Sequence, residues 1–152
     1  MKYSLILLSA FLVVGCSFFT KEQQANAYNN AGLKYDAAGN EAYADYETAY
    51  DIATTDGEGL QALTDLYSSY AGRTFVYIED VEAIAWTSEF NDKAQSMIAC
   101  MRELYLLQID VLAAADSQEA LDIADVADAK EDSCGSINAS LRTMLGLDPV
   151  TD

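Results

Sequence analysis

Histidine is absent from this 152-residue chain, proline occurs once, and eight Lys plus Arg stand against 25 Asp plus Glu. Each scarcity excludes something. Without histidine no Ser-His-Asp or Cys-His nucleophile can be built. Three cysteines with no Cys-x-x-Cys pair support neither a zinc cage nor a thioredoxin-type site, so no metal or cofactor is expected. The basic residues stand singly, which removes the Lys and Arg clusters that hold phosphate backbones, so nucleic acid is not an expected partner. With the lone Pro at position 149, no proline interrupts a helix anywhere before it.

What is present begins with Lys2 and an apolar run from Leu5 to Val14, ending at Gly15-Cys16. The run is about ten residues, too short for the ~20 needed to span a bilayer and right for a signal h-region. Val13-Val14-Gly15-Cys16 resembles the lipobox of bacterial lipoproteins. The resemblance implies that residues 1–15 are removed and that Cys16 becomes the lipidated first residue, anchored by acyl chains worth about 0.8 kcal/mol per buried CH₂. Ser17, where Asp would mark inner-membrane retention in the enterobacterial pattern, implies the outer membrane and its periplasmic face. Residues 16–26 then read as a lipidated tether; the ten after Cys16, fully extended, reach at most about 35 Å.

The remainder, 27–148, is long enough for one domain with one core. Loss of Lys2 leaves seven Lys plus Arg, a formal charge of −18. Such acidity repels anionic lipid and attracts basic proteins. Cys100 and Cys134 are left as an even pair in an exported chain, which predicts a disulfide between them.

Apolar residues recurring at three and four predict an all-α fold, a small bundle of about six helices in antiparallel hairpins braced by that disulfide. The spans expected are 23–38, stopped at Gly39-Asn40; 41–53, followed by a turn over 54–59; 60–71, closed by Gly72-Arg73; 75–86, where Phe75 to Ile78 also suits a strand; 92–115, with Asp92 and Gln95 at capping-box spacing; and 117–130, opened by Asp116-x-x-Glu119. A short last helix over 133–145 is expected to end at Gly146. The polar positions Gln95, Arg102, Glu103 and Asp110 fall on one narrow stripe, so 92–115 is expected to be the most buried helix.

Tyrosines dominate the first half. Tyr28 and Tyr35 share a helical face, Tyr43, Tyr46 and Tyr50 follow at three and four, and Tyr67 and Tyr70 repeat the step. Ala27-Tyr28-x-x-Ala31-Gly32-x-x-Tyr35-x-x-x-Gly39 resembles the first helix of a tetratricopeptide repeat, and Tyr43, Tyr50 and Ala53 resemble marks of its second. The resemblance covers about residues 27–72. It implies a helical hairpin whose tyrosines line a peptide groove; the bland reading of the same stripe is core, with hydroxyls reaching solvent.

Asp122, Asp125, Asp128 and Asp132 line one face of the sixth expected helix, without the order of a calcium loop, and read as a solvated acidic surface for a basic partner. Glu79, Asp80 and Glu82 are the carboxylates nearest to an acid and base pair, but no sugar cleft is legible around them. The chain therefore reads as a membrane-anchored, non-catalytic protein-binding module, either an assembly factor using the tyrosines or an acidic inhibitor or immunity protein against a basic cell-wall-degrading enzyme. A peptidoglycan hydrolase is the enzyme alternative.

Overall fold

The computed structural model describes residues 20–52 and 55–148. Among them the chain is helical, in four elements: α1 (Lys21–Ile52), α2 (Asp56–Glu82), α3 (Ser88–Leu112) and α4 (Ser117–Leu145). The lipobox, Cys16 and the first tether residues lie outside the described residues. Residues 21–26 of the stretch expected to be a tether belong instead to α1, which begins at Lys21 and buries Gln24 and Ala25.

Four helices stand where about six were expected, because three of the breaks between the seven expected spans are passed through. Gly39-Asn40 lies inside α1, Gly72-Arg73 inside α2, and the 130–133 junction inside α4. A glycine within a helix costs about 1 kcal/mol relative to Ala, less than a continuous buried stripe returns. It ends a helix where the chain turns left-handed, and among the described residues only Gly146 does so, at φ 77° and as the C-cap of α4. Phe75 to Ile78 is helical, within α2.

The caps were partly legible. Asp116 accepts from the Glu119 N–H at 2.9 Å and opens α4 as expected. The expected turn over 54–59 instead carries a full capping box: Thr55 Oγ1 accepts from the Glu58 N–H at 3.2 Å, while the Glu58 carboxylate accepts from the Thr55 N–H at 3.0 Å. Asp92 caps nothing; α3 already begins at Ser88, and the Asp92 carbonyl accepts from the Ser96 hydroxyl.

The helices run up, down, up and down. Gln24 donates to the Ala85 carbonyl and Tyr35 meets Arg73 and Tyr77, which sets α1 antiparallel to α2. Phe75 against Tyr105 and Glu82 with Arg102 set α2 antiparallel to α3. Cys100 and Cys134 form the expected disulfide between α3 and α4, Cα atoms 5.7 Å apart, beside the Lys130–Glu103 ion pair. Closing 34 residues of chain contributes about 3 to 4 kcal/mol in the chain-entropy model. On α4 the inward stripe is Ala120, Ala124, Ala127, Cys134, Leu141 and Leu145, its small residues allowing close approach.

Both α2 and α4 touch all three other helices, whereas α3 touches only those two; α1 and α3 stand diagonally and do not pack backbone to backbone. On α3, Leu106, Ile109 and Leu112 face outward, while Gln108 is buried, so the expected burial of that helix is corrected. The narrow polar stripe was misleading because one flank of α3 covers nothing.

Candidate functional site

The tyrosine stripe of α1 and α2 points mainly into the bundle, and the hydroxyls of Tyr28, Tyr35 and Tyr67 are committed across helices. Tyr28 is buried against the edges of Tyr77 and Trp86 and donates to Asn138 Oδ1 on α4 at 2.8 Å. Tyr35 donates to Glu131 at 2.7 Å, and Tyr67 to Asp128 at 3.0 Å. Tyr43 is half exposed beside the partly buried Tyr46, their rings 6.1 Å apart. The Tyr50 side chain lies outside the described residues. Residues 27–52 form one continuous helix, so the expected hairpin between 27–38 and 41–53 is not formed; the tyrosines instead join α1 and α2 to α4. Burial pushes the Tyr28 hydroxyl up to about 12 and raises Tyr35, Tyr67, Tyr70 and Tyr77, with neighbouring Glu131 and Asp128 adding to the shifts at Tyr35 and Tyr67.

At the centre of this lattice is Arg73, its side chain only 9% exposed. Its guanidinium lies 4.1 Å from the Tyr35 ring centroid and 4.2 Å from that of Tyr70, and donates to both Glu131 oxygens at 3.1 and 3.3 Å. Gly39 is what admits it. A Cβ at that position would stand 1.9 Å from Arg73 Nη1, so the glycine read as a helix stop is a seat for a cation in an unbroken helix. Sequence reasoning missed Gly39, Arg73 and Glu131. A signal for Glu131 existed, because it falls on the same three-and-four stripe as Ala124, Ala127 and Cys134.

Two hollows flank α1. One, of about 500 Å³, opens between α1 and α2 over Ala38, Ala42, Gly72 and Val76, with the Lys34–Asp80 ion pair on its wall. The other, of about 670 Å³, follows the α1–α4 seam and is lined by Tyr28, Leu33, Asp36, Tyr77, Met97, Met101, Asp132 and Arg142. This seam is held by side-chain bridges: Tyr28 to Asn138, Tyr35 to Glu131, and Arg142 to Asn29 at 3.1 Å. Its Met and Tyr walls suit an apolar segment.

The acidic residues do not converge on chemistry. Asp80 pairs with Lys34 on the α1 side, Glu82 with Arg102 on the α3 side, and Glu79 is exposed. The α4 acids Asp122, Asp125, Asp128 and Asp132 are all exposed, and Asp128 also accepts from Tyr67 and has its pKa raised, first by partial burial of its carboxylate and then by acidic neighbours. Among the described residues no group of three His, Cys, Asp or Glu is placed to hold a metal ion, and no helix is long and apolar enough to cross a membrane.

The charge is sorted along the bundle axis. The α1–α2 and α3–α4 connections lie at one end, joined by the Ser117 hydroxyl donating to the Asp56 carbonyl at 3.0 Å. Residues 41–52, 55–69 and 105–125 build that end and contain no Lys or Arg. They carry twelve exposed carboxylates: Glu41, Asp45, Glu47, Asp51, Asp56, Glu58, Asp65, Asp110, Asp116, Glu119, Asp122 and Asp125. The seven cations of the described residues all lie nearer the middle or the opposite end, where α1 begins. Comparison with protein-family models, curated proteins and solved structures gives no match.

Proposed function

We propose that this chain is a non-catalytic protein-binding lipoprotein, held at the outer membrane on its periplasmic face through Cys16, and that its cation-free end receives a basic protein. The observation carrying this reading is the sorting of charge: twelve exposed carboxylates and no Lys or Arg at the end farthest from Lys21. At 1.5 Å per residue, the 32 residues of α1 set that end roughly 48 Å beyond the start of the bundle. Lipidation at Cys16 would keep the less acidic, cation-bearing end at the membrane and hold the cation-free end away from anionic headgroups, which would otherwise repel it. A one-signed surface speeds encounter with an oppositely charged partner and rejects acidic ones. Basic cell-wall-degrading enzymes are the partner class this suits, as targets of an inhibitor or immunity protein.

The test is capture of partners from host membranes with the lipidated protein at low and high salt. Retention of a basic protein that washes off with salt, and that is lost when Asp116, Asp122 and Asp125 are replaced by Lys, is the expected result. Retention indifferent to both treatments sinks the reading. A second reading, an assembly factor, is favoured by the α1–α4 groove, where Leu33 stands 60% exposed on one lip above Met97 and Met101. It predicts capture that survives salt and is lost on Leu33→Ser. Leu33 is a better probe than Tyr35, whose loss would also release Glu131 and Arg73.

A further inference from the structure

Apolar side chains on α3 form a line that starts at Tyr105, partly buried against the core, and continues over side chains that the bundle leaves exposed. Tyr105, Ile109 and Leu112 follow at i, i+4 and i+7 on one flank, with Leu106 beside them and 61% exposed. Phe75 of α2, half exposed, packs at 6.0 Å between ring centroids on Tyr105 and widens the line across the α2–α3 seam. At its inner limit Arg102 is neutralised by Glu82; toward the other end the charged side chains of α2 and α3 are all carboxylates, Asp65, Glu58 and Asp56 on α2 and Asp110 on α3. An apolar strip running into a cation-free, acidic end has a defined complement.

We infer that this strip docks one amphipathic, Lys- or Arg-rich helix of a partner protein, its apolar side on Phe75, Leu106, Ile109 and Leu112 and its cations over the surrounding acids. The inference rests on the reading of the acidic end given above and names how a basic partner is gripped there. Three-and-four anchors on a helix match a line of this spacing. A second copy of the chain is the poorer occupant, because two molecules of formal charge −17 would meet with no cation at the contact to relieve them. A lipid surface is poorer still, since anionic headgroups face the same carboxylates.

The probes are two synthetic Leu/Lys peptides about five helical turns long. One places Leu at i, i+3, i+4 and i+7; the other shuffles the same residues so that no apolar side exists. Binding to the purified, disulfide-intact protein is followed by calorimetry at low and high salt. The periodic peptide is expected to bind at least about tenfold tighter than the shuffled one, because burying a Leu or Ile side chain is worth on the order of a decade of affinity. Leu106→Ser with Ile109→Ser should erase that difference; Leu106→Ser alone, at the most exposed position, serves if the double variant loses helicity. Equal binding of both peptides overturns the strip while leaving the acidic end as a partner surface. Failure of both to bind overturns strip and acidic end together. Periodic-peptide binding that ignores salt overturns the cationic occupant, and self-association that Leu106→Ser abolishes makes the occupant a second copy.

Discussion

Replacing Gly39 by Ala sets two known effects against each other, and the structure decides the sign. In an open helix interior the change stabilises by up to about 1 kcal/mol through helix propensity and reduced unfolded-state entropy. Gly32, Gly72 and Gly135 lie within helices and have nothing within 4 Å of an added Cβ, so each should show that gain. At Gly39 the Cβ would stand 1.9 Å from Arg73 Nη1 and 2.8 Å from Cζ. A guanidinium at the end of a long side chain ordinarily moves aside cheaply, but this one is clamped by two rings and a carboxylate. Its displacement loses charge-assisted hydrogen bonds worth about 1.5 to 3 kcal/mol, reduced because Glu131 is a third exposed, and two ring contacts of about 0.5 to 1 kcal/mol each. Against the propensity gain, Gly39→Ala should destabilise by about 1 to 3 kcal/mol, read as a fall in the urea midpoint at unchanged slope. In an Arg73→Ala background the clash is absent and the same change should stabilise. If Gly39→Ala raises stability in the unaltered protein as Gly32→Ala does, the clamped Arg73 seat is refuted.

Reducing the Cys100–Cys134 disulfide, or replacing both cysteines by Ser, should cost about 3 to 4 kcal/mol, checked by denaturant unfolding with and without reductant. Tyr28, Tyr35, Tyr67 and Tyr77 ionise well above the usual value of about 10 because burial disfavours the phenolate. Their contribution is therefore complete below pH ~10 and lost as pH rises from there toward the folded-state values. Phenolate absorbance should lag and then appear together with loss of helicity; full ionisation near pH 10 with the helices intact would contradict this. Asp36 and Asp128 have raised values, burial being the first cause in both, so the native state holds their protons more tightly than the unfolded chain. Stability from these two rises as pH falls through their folded values and levels off below ~3.9, the unfolded value. Asp128→Asn, which keeps an acceptor for Tyr67, should thus stabilise at neutral pH and lose that advantage in acid; equal effects at both pH values would rule it out.

Composition and periodicity determined that this chain is helical: no early proline, many Ala, and apolar residues at three and four admit little else. The disulfide was legible because only two cysteines remain once Cys16 is set aside, and the start and end of α4 because Asp116 and Gly146 act through their nearest neighbours. Local signals failed at Gly39-Asn40, Gly72-Arg73 and Asp92. Whether a glycine stops a helix depends on what stands beside it, and at Gly39 that is an arginine 34 positions away in sequence. The tyrosine stripe announced an important face without saying that its hydroxyls would be bound to α4, because Asn138, Asp128 and Glu131 come near only after the chain has returned twice. The charge sorting shows the division most plainly. The absence of Lys and Arg from 35 to 72 and again from 103 to 129 is written in the sequence, but antiparallel packing alone brings the two stretches to one end, where unopposed carboxylates become a single surface.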